Sequence, residues 1–149
     1  SLMQSAAPEY RARGLEITVQ PAPVTVCADR DLLRRILLNI MDNSLKYKNK
    51  PVGHLEIAMQ ASGGVCTLGL TDDGPGVPEE ACGKLFDVFY RSDPARRNPA
   101  GGSGLGLAIA ATAAARMGGS IRAQNAQGGG LSIIITLPEE ENHAAHSDH

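Results

Sequence analysis

The chain of 149 residues has no tryptophan, two phenylalanines and three tyrosines. Its core must therefore be packed from aliphatic side chains, with little help from aromatic stacking. It also lacks an excess of charge of either sign: 14 Lys and Arg stand against 16 Asp and Glu, a formal net charge of −2. No global field favours nucleic acid or an anionic membrane, so any anion site must be local. No apolar run approaches a membrane span, and no leader-like segment is visible. Cysteine is scarce. Cys27, Cys66 and Cys82 lack the spacing of metal ligands, and reduced, mostly buried thiols of a cytosolic protein are expected. No internal repeat is present.

What remains is ordinary for an ordered fold. Hydrophobic residues make up 42% and charged residues 20% of the chain, and the length suits one domain. Ser5 to Arg13 reads as a helical turn or two. Alternation predicts strands at Leu15 to Val19, Val24 to Ala28, His54 to Met59, Val65 to Leu70, Ser120 to Asn125 and Leu131 to Leu137. Asp29 is placed to cap a helix reaching about Tyr47. In it Leu32, Leu33, Ile36, Leu37, Ile40, Met41 and Ser44 form one core-facing stripe. Ser62-Gly63-Gly64 reads as a hairpin turn. Pro78-Glu79-Glu80 suits the first turn of a short helix, and Leu105 to Met117 a longer one. Arg91 to Gly104 reads as a mobile loop. The tail after Pro138, with His143, His146 and His149, is expected to be disordered.

Four segments carry chemistry. On the long helix Asn39, Asn43, Lys46 and Tyr47 recur at i, i+4, i+7 and i+8 and share one polar face. An amide oxygen there is a hard ligand for Mg²⁺, and an amine can neutralise phosphate. Asp72-Asp73-Gly74-Pro75-Gly76 follows a strand, where a carboxylate can accept a hydrogen bond from an exocyclic amine. Phe86 and Phe89 lie three apart in Leu85 to Arg91, with Arg96 and Arg97 just beyond. The run Gly101-Gly102-Ser103-Gly104-Leu105-Gly106-Leu107 opens a helix, where backbone N–H groups can cradle an anion. Each segment alone has a plain reading as well: a solvated helix face, an ordinary turn, a small core cluster, a flexible loop.

In this order, over about Leu15 to Pro138, the four resemble the N, G1, F and G2 boxes of the catalytic ATP-binding domain of bacterial sensor histidine kinases. These belong to the wider group that includes Hsp90-type chaperones, type II topoisomerases and MutL-type repair proteins. The resemblance implies an α+β fold of Bergerat type: a two-layer sandwich with a mixed, mostly antiparallel sheet and helices on one face. It implies residues 1–13 as the end of a connecting helix, 14–138 as the catalytic domain and 139–149 as a tail.

The same resemblance implies ATP and Mg²⁺ as cofactors, and a role for each matching residue. Asn43 would hold the metal, with Asn39 supporting metal and phosphates and Lys46 and Tyr47 facing the phosphates. Asp72 would hydrogen-bond adenine, and Gly74 and Gly76 would let the backbone pass close to the base. Arg91, with Arg96 and Arg97, would belong to a lid over the nucleotide. Gly102, Gly104, Leu105, Gly106 and Leu107 would form its hinge and the phosphate cradle. Asn39 stands where hydrolytic relatives carry a Glu that activates water, and an amide cannot act as a general base. Phosphoryl transfer therefore fits better than an ATP-gated clamp. The resemblance implies an acceptor histidine on a separate dimerisation domain; His54, which is followed by Leu55 and begins a strand, and the tail histidines fit that role poorly. The implied setting is a two-component phosphorelay with a response regulator downstream, the parent protein anchored in the bacterial membrane and this domain cytoplasmic. The isolated domain is expected to be monomeric, with no nucleic-acid partner. The alternative of the same fold is an anti-sigma-type serine kinase or a non-catalytic nucleotide-binding module.

Overall fold

The computed structural model describes residues 2–20, 30–87 and 106–138. Three helices, α1 (Leu2–Ala12), α2 (Arg30–Tyr47) and α3 (Gly106–Arg116), accompany five strands, β1 (Leu15–Val19), β2 (Gly53–Ser62), β3 (Val65–Asp72), β4 (Ser120–Asn125) and β5 (Leu131–Pro138). A 3-10 helix spans Glu79–Lys84. The expected strand at Val24 to Ala28 and the cap at Asp29 lie outside the described residues, as do the tail and Arg91 to Gly104. α1 is longer than the turn or two expected and carries Pro8 in its interior, which forgoes one backbone hydrogen bond.

The strands form one sheet in the order β1-β2-β3-β5-β4. β1 lies parallel to β2, with Leu15 opposite Gly53 and Val19 opposite Ile57. The other pairings are antiparallel. β2 and β3 are joined by Gly63 and Gly64, both at positive φ, the geometry that matches strand twist in a two-residue hairpin.

Alternation in the strands decides which sheet face is covered. Leu15 and Ile17, Leu55 and Ile57, Leu68 and Leu70, and Ile133, Ile135 and Leu137 are all buried. They pack with Ile36, Leu37, Ile40 and Met41 of α2 and Ala110, Ala113 and Ala114 of α3 in one aliphatic core. Small alanines on α3 let its backbone approach α2 closely. Each fully buried Leu or Ile contributes about 1.5–3 kcal/mol relative to exposure. The outward positions, such as Thr18, Glu56, Ala58 and Arg122, are exposed. The mixed, mostly antiparallel sheet and its helical layer match the α+β sandwich expected from sequence.

α1 is tied to this body through Tyr10. Tyr10 of α1 is buried within the core, and its hydroxyl donates to Asp42 Oδ1 of α2 at 2.5 Å. The Arg13 guanidinium sits 5.5 Å from the centre of the Tyr10 ring. Burial first, and the Asp42 carboxylate second, push the Tyr10 phenol well above its ordinary value of 10. The stability this residue confers is therefore complete below about pH 10 and falls as pH rises beyond it, where the unfolded chain gains from ionising its phenol. Tyr10→Phe is expected to lower the unfolding free energy by about 1 kcal/mol at neutral pH. It should also flatten the loss of stability above pH 10. Urea unfolding at several pH values, followed by circular dichroism, measures both.

Candidate nucleotide site

The site is assembled where α2 ends, β3 ends and β5 begins. Asp72 is the last residue of β3 and pairs with Leu55. Its side chain thus shares the helix-covered face with that buried leucine. Three groups from three parts of the chain donate to its carboxylate. The Ser44 hydroxyl of α2 donates to Oδ2 at 3.0 Å. The backbone N–H groups of Gly74 and Leu131 donate to Oδ1 at 2.9 and 3.1 Å. Ser44 is 5% exposed, the one buried polar residue of the described core, and Asp72 is its partner. Among the described residues no buried side-chain nitrogen or oxygen lacks a hydrogen-bond partner. A carboxylate held in this way keeps further lone pairs on Oδ2 for a donor entering from the open side.

Asp73, one residue later, points the other way. It accepts from the backbone N–H of His54 at 2.8 Å, and its Oδ2 lies 3.1 Å from His54 Nδ1 and 3.2 Å from Lys50 Nζ. Partial burial pushes its carboxyl up. The His54 N–H and ring and the Lys50 ammonium outweigh that and hold it below the usual carboxylate range. Two adjacent carboxylates are thereby divided: Asp73 clasps His54 and Lys50, and Asp72 turns to Ser44 and the start of β5.

The loop that follows is shaped by close contact. Gly76 has φ +75, and a Cβ there would stand 2.6 Å from Asn125 Oδ1 and 3.2 Å from the Gly130 carbonyl oxygen. Gly130 has φ +92, and a Cβ there would stand 1.9 Å from the Asp72 carbonyl oxygen. Only glycine satisfies both the backbone conformation and the approach. At Gly74 the C-terminal carbonyl of α2, from Tyr47, closes the other side, 3.6 Å from where a Cβ would be.

On α2, Asn39, Asn43 and Tyr47 are half-buried and Lys46 is exposed. At about 100° per residue they occupy an arc bordering the buried stripe of Ile36, Ile40 and Ser44. The Lys46 ammonium lies 5.1 Å from the centre of the Tyr47 ring. The structure therefore puts Asp72, Gly74 and the end of α2 together. Gly106 is the first residue of α3, and Leu107 is buried beside the core. Arg91, Arg96, Arg97, Gly102, Gly104 and Leu105 lie outside the described residues. Phe86 packs against the core, and Phe89 lies outside the described residues. Among the described residues Cys66 and Cys82 form no disulfide, and Cys66 is buried in β3.

Sequence reasoning missed four contributors: the Asp72-directed hydroxyl of Ser44, the N–H of Leu131, the close approach of Gly130 and the amide of Asn125. Only Ser44 left a signal, as a hydroxyl within an apolar stripe. Ser44→Ala is expected to cost about 1–2 kcal/mol of stability, more than an isolated hydrogen bond, because the Asp72 carboxylate is left with one fewer donor. Gly130→Ala should cost more than about 2 kcal/mol, because a Cβ cannot coexist with the Asp72 carbonyl. Denaturant unfolding of both variants measures the difference.

Comparison with known proteins places this geometry in a family. Residues 28–141 match the family described as histidine kinase-, DNA gyrase B-, and HSP90-like ATPase. The chain is similar to the signal transduction histidine-protein kinase BaeS of Escherichia coli K12, 37% identical over 134 residues, covering 89% of this chain but 28% of BaeS. It is similar to the sensor histidine kinase component HK1 of Mycobacterium tuberculosis, 36% identical over 138 residues, covering 92% of this chain and 79% of that protein. Among solved structures it resembles the mycobacterial sensor histidine kinase MprB, with a TM-score of 0.80, 34% identity and 93% of each chain covered. The chain belongs to the histidine kinase-, DNA gyrase B- and HSP90-like ATPase family, and its relatives within that family make it an ATP-binding catalytic module of the sensor-histidine-kinase type.

Proposed function

We propose that this module binds Mg-ATP and transfers the γ-phosphoryl group to a histidine on a separate dimerisation domain of the same parent protein. The observation that carries the reading is Asp72. It is a carboxylate fixed by donors from α2, its own loop and β5, with acceptor capacity left for the exocyclic amine of adenine. Guanine presents a carbonyl at that position, so an acceptor-only partner selects ATP over GTP. Gly74 and Gly76 supply the close backbone passage alongside the base.

The residues of α2 fit the phosphate end. Mg²⁺ is a hard ion that keeps waters and phosphate oxygens in its shell and needs few protein ligands. The neutral amide oxygen of Asn43 suits it, with Asn39 one turn away. When bound, Mg²⁺ would neutralise charge on the transferring group. Lys46 and Tyr47, at the end of the same helix, face the remaining phosphate charge. The glycines from Gly102 to Gly106 would cradle it, and Arg91 would belong to the lid. Asn39 offers no general base, so water is not activated and the nucleotide is kept for an acceptor. Catalysis is then positioning plus charge neutralisation. The acceptor lies elsewhere, because His54 sits in β2 with its ring against Asp73. Residues 1–13 would be the end of the helix that connects the two domains. A response regulator would receive the phosphoryl group, and a membrane-anchored parent would bring the signal.

Asp72→Asn is expected to weaken ATP binding by about 10- to 100-fold, the loss of one charge-assisted hydrogen bond, with GTP less affected. Asn43→Ala should abolish the dependence of that binding on Mg²⁺. Calorimetric titrations with and without the metal read both, and unchanged affinities would exclude the assignments. Incubated with γ-labelled ATP and analysed without acid, the chain alone should remain unlabelled. Stable label on His54 would refute a separate acceptor.

A further inference from the structure

We propose that Asn125 is a positioning residue for adenine recognition, acting through the loop between Asp72 and Val77. This rests on the reading of Asp72 as the adenine contact. Asn125 is the last residue of β4, half-buried, and in register with Leu131 of β5. The Val77 N–H donates to Asn125 Oδ1 at 2.9 Å, and Asn125 Nδ2 donates to the Val77 carbonyl at 2.7 Å. One side-chain amide thus satisfies both backbone polar groups of a single loop residue, as a neighbouring strand would. Each of its two polar atoms is committed to that residue, and its oxygen also stands 2.6 Å from where a Cβ of Gly76 would be.

The consequence is a loop anchored at both ends. At one end Leu131, the register partner of Asn125, donates to Asp72 Oδ1. At the other Asn125 holds Val77. Asp73, Gly74, Pro75 and Gly76 span the gap, and two glycines in so short a span have large conformational freedom when unanchored. Fixing Val77 removes that freedom before a ligand arrives, so that binding need not supply the ordering. Asn125 touches neither base nor phosphate in this scheme. Its contribution is the preset distance between the carboxylate of Asp72 and the backbone that lies along the base. An Asn at this place is absent from the residues that the four boxes single out, and its effect is confined to the adenine end of the pocket.

The test uses the 149-residue chain, with ADP and Mg²⁺ as the probe in calorimetric titrations. The proteins are the wild type, Asn125→Ala, Asn125→Ser, Asp72→Asn and the Asp72→Asn/Asn125→Ala double variant. Asn125→Ala should fold and weaken ADP binding about five- to tenfold, the worth of one to two hydrogen bonds. Asn125→Ser, whose hydroxyl can still accept from the Val77 N–H, should recover part of the loss. In the Asp72→Asn background the Asn125→Ala change should have little further effect, because the contact it positions is gone. Absence of ADP binding by the wild type, or an Asp72→Asn protein that binds as tightly, would defeat the adenine reading itself. An affected Asp72→Asn with an unaffected Asn125→Ala would leave that reading standing and overturn the role of Asn125. Additive losses in the double variant, or an Asn125→Ala protein that does not fold, would make Asn125 a stability residue only and equally overturn the proposal.

Discussion

The carboxylate of Asp72 is the junction on which the rest of the site depends. Its two oxygens accept from a helix side chain, a loop N–H and a strand N–H, so the mutual placement of α2, β3 and β5 is recorded in one small group. Removing any one donor leaves the carboxylate partly desolvated with one fewer partner, and such an imbalance costs more than the hydrogen bond contributes. The same arrangement explains a serine in an otherwise aliphatic core. Ser44 carries no unsatisfied hydroxyl into the interior, because the interior contains its acceptor.

A second constraint is rotational. Ile36, Leu37, Ile40 and Met41 are at most 1% exposed, so α2 cannot turn about its axis without emptying the core. Fixing those four side chains also fixes the direction in which Asn39, Asn43 and Tyr47 face, since helical geometry couples them. The aliphatic composition of the chain therefore bears on the polar face of α2 as well. Packing that owes little to aromatic rings still holds the polar arc to one orientation, and the alanines of α3 let the two helices lie close enough to do so.

Much of this was legible in the chain. Period-two alternation located β1, β4 and β5 to within a residue and found β2 and β3, whose ends run on past the expected His54 to Met59 and Val65 to Leu70; the apolar stripe of α2 was readable from its own period. Of the residues in the four boxes, Asp72, Gly74 and the end of α2 are brought together by the structure. The parts that were not legible depend on contacts between distant segments. Nothing local in Gln124-Asn125-Ala126 distinguishes an amide that holds a loop 48 positions away from one that ends a strand in solvent. The division of Asp72 from Asp73 was equally hidden, since both carboxylates are chemically alike and only the register with Leu55 and the nearness of His54 and Lys50 separate them. The attachment of Tyr10 was hidden too, because its partner Asp42 lies 32 positions further on.

The two hairpins of the sheet end in glycines, yet they are not equivalent as places to alter the chain. At Gly63 and Gly64 a side chain would meet nothing within 4 Å. That turn projects into open space and is the natural point at which to insert a reporter, an affinity handle or a tether. The turn between β4 and β5 closes at Gly130 against the carbonyl of Asp72. Gly130 itself is buried, so a graft at this turn would push directly on the chain at Asp72 and Asp73.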